Sequence, residues 1–143
     1  MKLYFDSAYV AKCYLNDPDA YRVRSLVQQA EALISSALCI AEMACVFHRR
    51  VREGSLTSQQ GSQLRGLFLE HVSTGVWTLV SVTEAILRDV DASLDAVPGK
   101  IFLRAGDAIH LTSARAAGFS EIWSNDRHLL AAASHFGLRG RSV

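Results

Sequence analysis

Short apolar runs alternate with longer amphipathic ones along this chain. Leu3 to Phe5 is apolar and stops at Asp6, which reads as a buried strand with an acid at its carboxyl end. Ser7 is placed to cap a helix over Ala8–Leu15, and Asn16-Asp17-Pro18-Asp19 marks a turn. A second helix is expected from Asp19 to Glu31 and a second strand over Ala32–Ser35. Ile40 to Glu53 then reads as a helix, with Glu42 near its start and Gly54 at its end. Thr57 to Gln60 fits a capping box, and Leu64, Leu67, Phe68 and Val72 recur at helical spacing until Gly75. Trp77–Val82 is expected as a third strand, and Thr83 caps a helix to Val97 that Pro98-Gly99 terminates. Ala105–Ala117 is an alanine-rich helix closed by Gly118. Glu121–Ser124 is a fourth strand with Asp126 just past it. Leu129–Phe136 is a last helix stopped by Gly137, before a basic tail carrying Arg139 and Arg141.

Short apolar strands alternating with helices predict an α/β fold, with a parallel sheet covered on both faces. In such folds ligands collect beyond the carboxyl ends of the strands. Asp6 and Asp126 both fall at such ends. The 143 residues suit one domain, 1–143, without a linker, a low-complexity run or a repeat. A net charge of +1 neither requires nor excludes a nucleic-acid partner, since local basic patches can coexist with it. Cys13, Cys39 and Cys45 lie in apolar stretches without CxxC spacing, and read as reduced core thiols of a cytoplasmic protein. The opening MKLYFDS has too short an apolar run for a signal peptide, and no stretch is apolar enough for a membrane span.

Four acids mark element boundaries: Asp6, Glu42, Asp107 and Asp126. Any one of them alone reads as a helix cap. Asp107 is the exception, because it stands in the apolar helix start LRAGDAIHL, where an unpartnered acid is costly. The fold type brings strand ends and helix starts to one rim. Carboxylates crowded there repel one another, and a hard divalent ion such as Mg²⁺ or Mn²⁺ relieves the repulsion. Such an ion activates water and offsets charge on phosphate oxygens. Zinc fits less well, because no His or Cys set accompanies the acids.

Three segments resemble the PIN-domain family, and within it the VapC-type toxins of type II toxin–antitoxin systems. They are Tyr4-Phe5-Asp6-Ser7-Ala8, Leu103 to Leu111, and Ser124-Asn125-Asp126 with the helix that follows. Ile40-Ala41-Glu42 carries the second acid on a weaker motif. The resemblance implies a three-layer α/β/α sandwich with a central, mainly parallel sheet of four to five short strands. It implies a Mg²⁺- or Mn²⁺-dependent endoribonuclease acting on RNA, with tRNA or rRNA among the expected targets. It also implies a cognate antitoxin and a homodimer. Carried over, Asp6 and Asp107 become direct metal ligands. Glu42 and Asp126 bind the metal, directly or through water, or orient the attacking water. Ser7 or Ser124 orients a carboxylate. Gly106 departs from the pattern, which expects a larger apolar residue there. Two alternatives stay open: a PIN nuclease of RNA processing, and a catalytically silent module that binds RNA or protein.

Other residues carry weaker signals. Arg104 suits a phosphate contact or a salt bridge to a nearby acid. Lys12, Arg49, Arg50 and Arg52 suit an RNA-binding rim or a solvated helix face. His110 follows Asp107 by three positions and lies either near the site or in the packing. Trp77 and Trp123 are expected in the core. Val46, Phe47, Leu64, Leu67 and Phe68 form an apolar surface that can serve a second copy or an antitoxin as well as the core.

Overall fold

The computed structural model describes all residues, 1–143. Its five strands are β1 (Lys2–Tyr4), β2 (Ala32–Ser36), β3 (Trp77–Val80), β4 (Glu121–Trp123) and β5 (Arg139–Arg141). Its seven helices are α1 (Ser7–Lys12), α2 (Ala20–Val27), α3 (Cys39–Arg52), α4 (Ser58–Ser73), α5 (Glu84–Ser93), α6 (Ala105–Ala116) and α7 (Arg127–Ala132).

Period-two alternation in the strands builds the layers. Leu3 and Phe5, Leu33, and Trp123 point to one face, where they meet Val10, Met43, Phe47 and Phe68 from α1, α3 and α4. Tyr4, Ile34 and Ile122 point to the other, where they meet Ala108, Leu111 and Ala114 of α6 and Leu129 of α7. The result is helices on both faces of a parallel sheet, as the alternation of elements predicts.

The pairs β1–β2, β2–β3 and β4–β5 are all parallel. The two groups join at a bridge between Phe5 and Trp123, reinforced by the Asp6 N–H donating to the Trp123 carbonyl at 3.1 Å. The strand order is therefore β3-β2-β1-β4-β5. From β1 the chain winds to one side through β2 and β3, and to the other side through β4 and β5. The carboxyl ends of β1 and β4 thus flank the switch point, where open parallel sheets leave a crevice.

Several details differ from expectation. The basic tail is the fifth strand. Its Arg-Gly-Arg sequence carries no apolar alternation, and Gly140 fits because a Cβ there would come 2.7 Å from Leu130 Cδ2. Asp6, not Ser7, caps α1. Asp6 has the extended backbone of a cap, while Ser7 is already helical, and Asp6 Oδ1 accepts from Tyr9 N–H at 3.0 Å. The α2 helix stops at Val27, short of Glu31, and β3 stops at Val80. The last helix splits into α7 and a 3₁₀ turn over Ala133–Phe136, which Gly137 ends at φ +73°. The Thr57–Gln60 capping box forms as read.

Phe47 and Phe68 are core, and Val46 and Leu64 pack half-buried against it. Of the apolar residues expected at the α3 and α4 surface, only Leu67 stays exposed; Leu69 and Ile40 are exposed as well, around a separate depression. Trp77 and Trp123 are buried. Cys45 is exposed rather than in the core, and all three cysteines are free. No helix is long and apolar enough to cross a membrane.

Candidate active site

The crevice over the ends of β1 and β4 is a cleft of about 520 Å³, and Asp6, Glu42, Asp107 and Asp126 all line it. Each acid sits where a helix begins. Asp6 and Asp126 are the caps of α1 and α7. Glu42 and Asp107 lie in the first turns of α3 and α6. The positive ends of four helices therefore face the cleft, which offsets part of the repulsion among the carboxylates.

Asp6 is the most constrained of the four. It is 4% exposed. Oδ2 accepts from Ser124 Oγ–H at 2.5 Å while Oδ1 accepts from Tyr9 N–H. Burial pushes its carboxyl up from 3.8 to about 6; the nearby His110 imidazole and the Ser124 and Tyr9 hydrogen bonds oppose that rise. Ser124 also accepts from the Asp126 N–H at 2.9 Å, so one hydroxyl ties the first acid to the backbone of the last. Asp126 Oδ1 in turn accepts from His128 and Leu129 N–H at 2.8 and 3.3 Å. Ser7 lines the cleft but makes no hydrogen bond to a carboxylate, because its helical backbone leaves the capping position to Asp6.

Arg104 resolves to the salt-bridge reading, with two acids at once. Nε donates to Asp107 Oδ2 at 3.3 Å and Nη2 to Asp126 Oδ2 at 2.9 Å. Both carboxylates hold the guanidinium in its charged form. Lys12, Arg49 and Arg50 also line the cleft, while Arg52 does not. Lys12 is paired with Asp19 at 2.6 Å, and Arg50 with both oxygens of Asp17 at 3.1 and 3.2 Å. His110 is buried in α6, and its Nε2 lies 2.6 Å from Glu42 Oε1. Spacing from Asp107 placed His110 near the site. Nothing local pointed to a partner 68 positions away.

The PIN domain family model matches residues 3–134. The chain belongs to the PIN-domain family. Its fold is also similar to a chain of the crystal structure of VapBC2 from Rickettsia felis bound to a DNA fragment from their promoter. That match has a TM-score of 0.67 and 12% identity, covering 99% of this chain and 98% of the other. At that identity it speaks for the fold alone. No curated protein matches the chain.

The donor chemistry of this PIN domain fits a hard divalent ion. Five carboxylates line the cleft, of which Asp17 is taken up by Arg50, and no Cys or His lines it. A buried, elevated Asp6 is also a group that gains from a nearby cation. As the side chains stand, no three of them are arranged to hold one ion. Arg104 accounts for part of this, since its guanidinium supplies Asp107 and Asp126 with the positive charge a metal would bring. Arg104 is 60% exposed, so the pair of bridges contributes at most about 1 kcal/mol to stability. Arg104→Gln is therefore expected to melt near the wild type yet bind Mn²⁺ more tightly in calorimetric titration, because a competing cation is gone. Weaker binding would show instead that Arg104 holds the acids in register.

Proposed function

We propose that this protein is a Mg²⁺- or Mn²⁺-dependent endoribonuclease of the VapC toxin type, cutting RNA phosphodiesters at the Asp6, Glu42, Asp107 and Asp126 centre. The observation that carries the reading is the convergence of these four acids, from four separate elements, on one cleft at the switch point of the sheet. Family membership supports the same chemistry.

Asp6 and Asp107 are assigned as direct ligands, and Glu42 and Asp126 as ligands or as groups that orient the attacking water. A divalent ion bound there supplies an activated water and offsets charge on the phosphate oxygens. Ser124 and Tyr9 N–H fix the Asp6 carboxylate, so that it does not have to be ordered when substrate arrives. Arg104, once released from Asp107 and Asp126, reaches a phosphate from the cleft edge. Arg49 lines the same cleft and can meet the RNA backbone, while Lys12 and Arg50 do so on exchanging Asp19 and Asp17 for phosphate. A cytoplasmic location is part of this reading, as are a structured tRNA or rRNA target, a homodimer and a cognate antitoxin. The exposed Ile40 and Leu69, which line one apolar depression between α3 and α4, are suited to a protein partner.

Purified protein is expected to cleave cellular RNA with Mn²⁺ or Mg²⁺, and to lose that activity in excess EDTA. Induced expression is expected to arrest growth, and mapping the new 5′ ends then identifies the target. Cleavage that survives EDTA contradicts the metal centre. Cleavage without growth arrest contradicts the toxin assignment and leaves a processing nuclease.

A further inference from the structure

Glu42 differs from the other three acids in how it is held. Like Asp107, it takes no hydrogen bond from its own helix, but its partner is a buried imidazole rather than an exposed guanidinium. The carboxylate instead lies across α6: Oε1 is 2.6 Å from His110 Nε2, while Oε2 faces Gly106, where a Cβ would stand only 3.3 Å away. Gly106 and His110 are four residues apart, one turn of the same helix face. Gly106 lies in the first turn of α6, so the helix-interior cost of glycine does not explain or penalise it. What glycine provides there is room for Glu42.

His110 is 1% exposed and surrounded by the apolar cluster of the α6 face. A polar ring in such a place is costly unless its nitrogens are bonded, and both are. The Tyr4 hydroxyl of β1 is 3.1 Å from Nδ1. The Glu42 carboxylate oxygen accepts from His110 Nε2, and Nδ1 pairs with the Tyr4 hydroxyl. The chain of hydrogen bonds runs from the sheet, through the helix, to the cleft acid.

We propose that His110 and Gly106 form a seat on α6 for Glu42, with His110 a positioning residue that fixes one carboxylate oxygen and leaves the other on the cleft wall for the metal or its water. The proposal rests on the functional reading above. Without the seat, Glu42 regains its side-chain rotamers and must be ordered when metal binds. Loss of such a supporting partner lowers metal affinity by roughly 10- to 100-fold in comparable sites.

The test is Mn²⁺ binding to the full chain at one fixed pH, read from the electron paramagnetic resonance signal of free Mn²⁺, with thermal melting to confirm folding. His110→Gln places an amide N–H near the former Nε2, whereas His110→Asn reproduces only the Nδ1 side toward Tyr4. H110N is expected to weaken binding by roughly 10- to 100-fold, and H110Q to stay close to wild type. Gly106→Ala, which leaves His110 intact, is expected to weaken binding measurably. The H110N change is expected to add nothing in a Glu42→Ala background. Wild-type affinity in folded H110N overturns the seat, as does full additivity with E42A. If H110N does not fold, unchanged binding in G106A overturns it. Absence of Mn²⁺ binding by the wild type takes down the metal-centre reading itself, and the seat with it.

Discussion

Asp107→Asn is expected to lower RNA cleavage by about a thousandfold, a loss of about 4 kcal/mol of transition-state stabilisation, while the protein stays folded. Asn keeps the shape of the side chain and an oxygen facing the cleft, so packing in the first turn of α6 is preserved. What it removes is one negative charge. The Asp107 carboxylate has one ionic partner, the exposed Arg104, and pairs of that exposure contribute little to stability. A structural role for Asp107 therefore predicts almost no effect on activity, and a ligand role predicts nearly complete loss. Single-turnover cleavage at saturating Mn²⁺, beside a thermal melt, separates the two. Activity within tenfold of wild type would remove Asp107 from the centre.

Asp6→Asn is expected to stabilise the metal-free protein at pH 8 while abolishing activity. The folded-state carboxyl titrates near 6 against an ordinary 3.8, because burial disfavours its charge. The folded state thus holds the proton more tightly than the unfolded chain. The stability tied to that proton is fully present below about pH 3.8 and is lost as pH rises through about 6. A shift of this size corresponds to roughly 3 kcal/mol, at about 1.4 kcal/mol per pH unit. Asn pays none of this, so D6N is expected to exceed wild type by about 1–3 kcal/mol in urea unfolding at pH 8 with EDTA. The difference should close below pH 4. Mn²⁺ should then stabilise wild type and leave D6N unmoved. A wild type that equals D6N at pH 8 would mean that the fold already neutralises Asp6 without a metal.

Much of this architecture was legible in the sequence because the strands are short and their alternation is clean. Leu3, Tyr4 and Phe5 assign three consecutive residues to alternate faces, and the helices follow from turn residues at their ends. The strand that escaped notice, Arg139–Arg141, owes its place to backbone pairing with β4 and to the close approach that Gly140 permits. Neither leaves a hydrophobic signature. The same holds for the site. Four acids at element boundaries can be listed from a sequence, and their meeting follows once the strand order is known. The hydrogen bonds that orient them cannot be read from the pattern, and Ser124 was named only through the family resemblance, with Ser7 as its alternative. Ser124 reaches Asp6 across 118 positions and His110 reaches Glu42 across 68, by side-chain contacts with no local periodicity. Arg104 had two readings until the cleft placed Asp107 and Asp126 on the same guanidinium. Gly106 was a departure from the family pattern until Glu42 was seen beside it.

The central claim is that these four carboxylates form one metal centre. The most direct measurement is anomalous diffraction from crystals grown with Mn²⁺. The account predicts a peak in the cleft at bonding distance from Asp6 and Asp107, with Glu42 and Asp126 in contact directly or through water and Arg104 turned away from Asp107. A cleft without a peak at saturating Mn²⁺, with Arg104 still bridging Asp107 and Asp126, would contradict it.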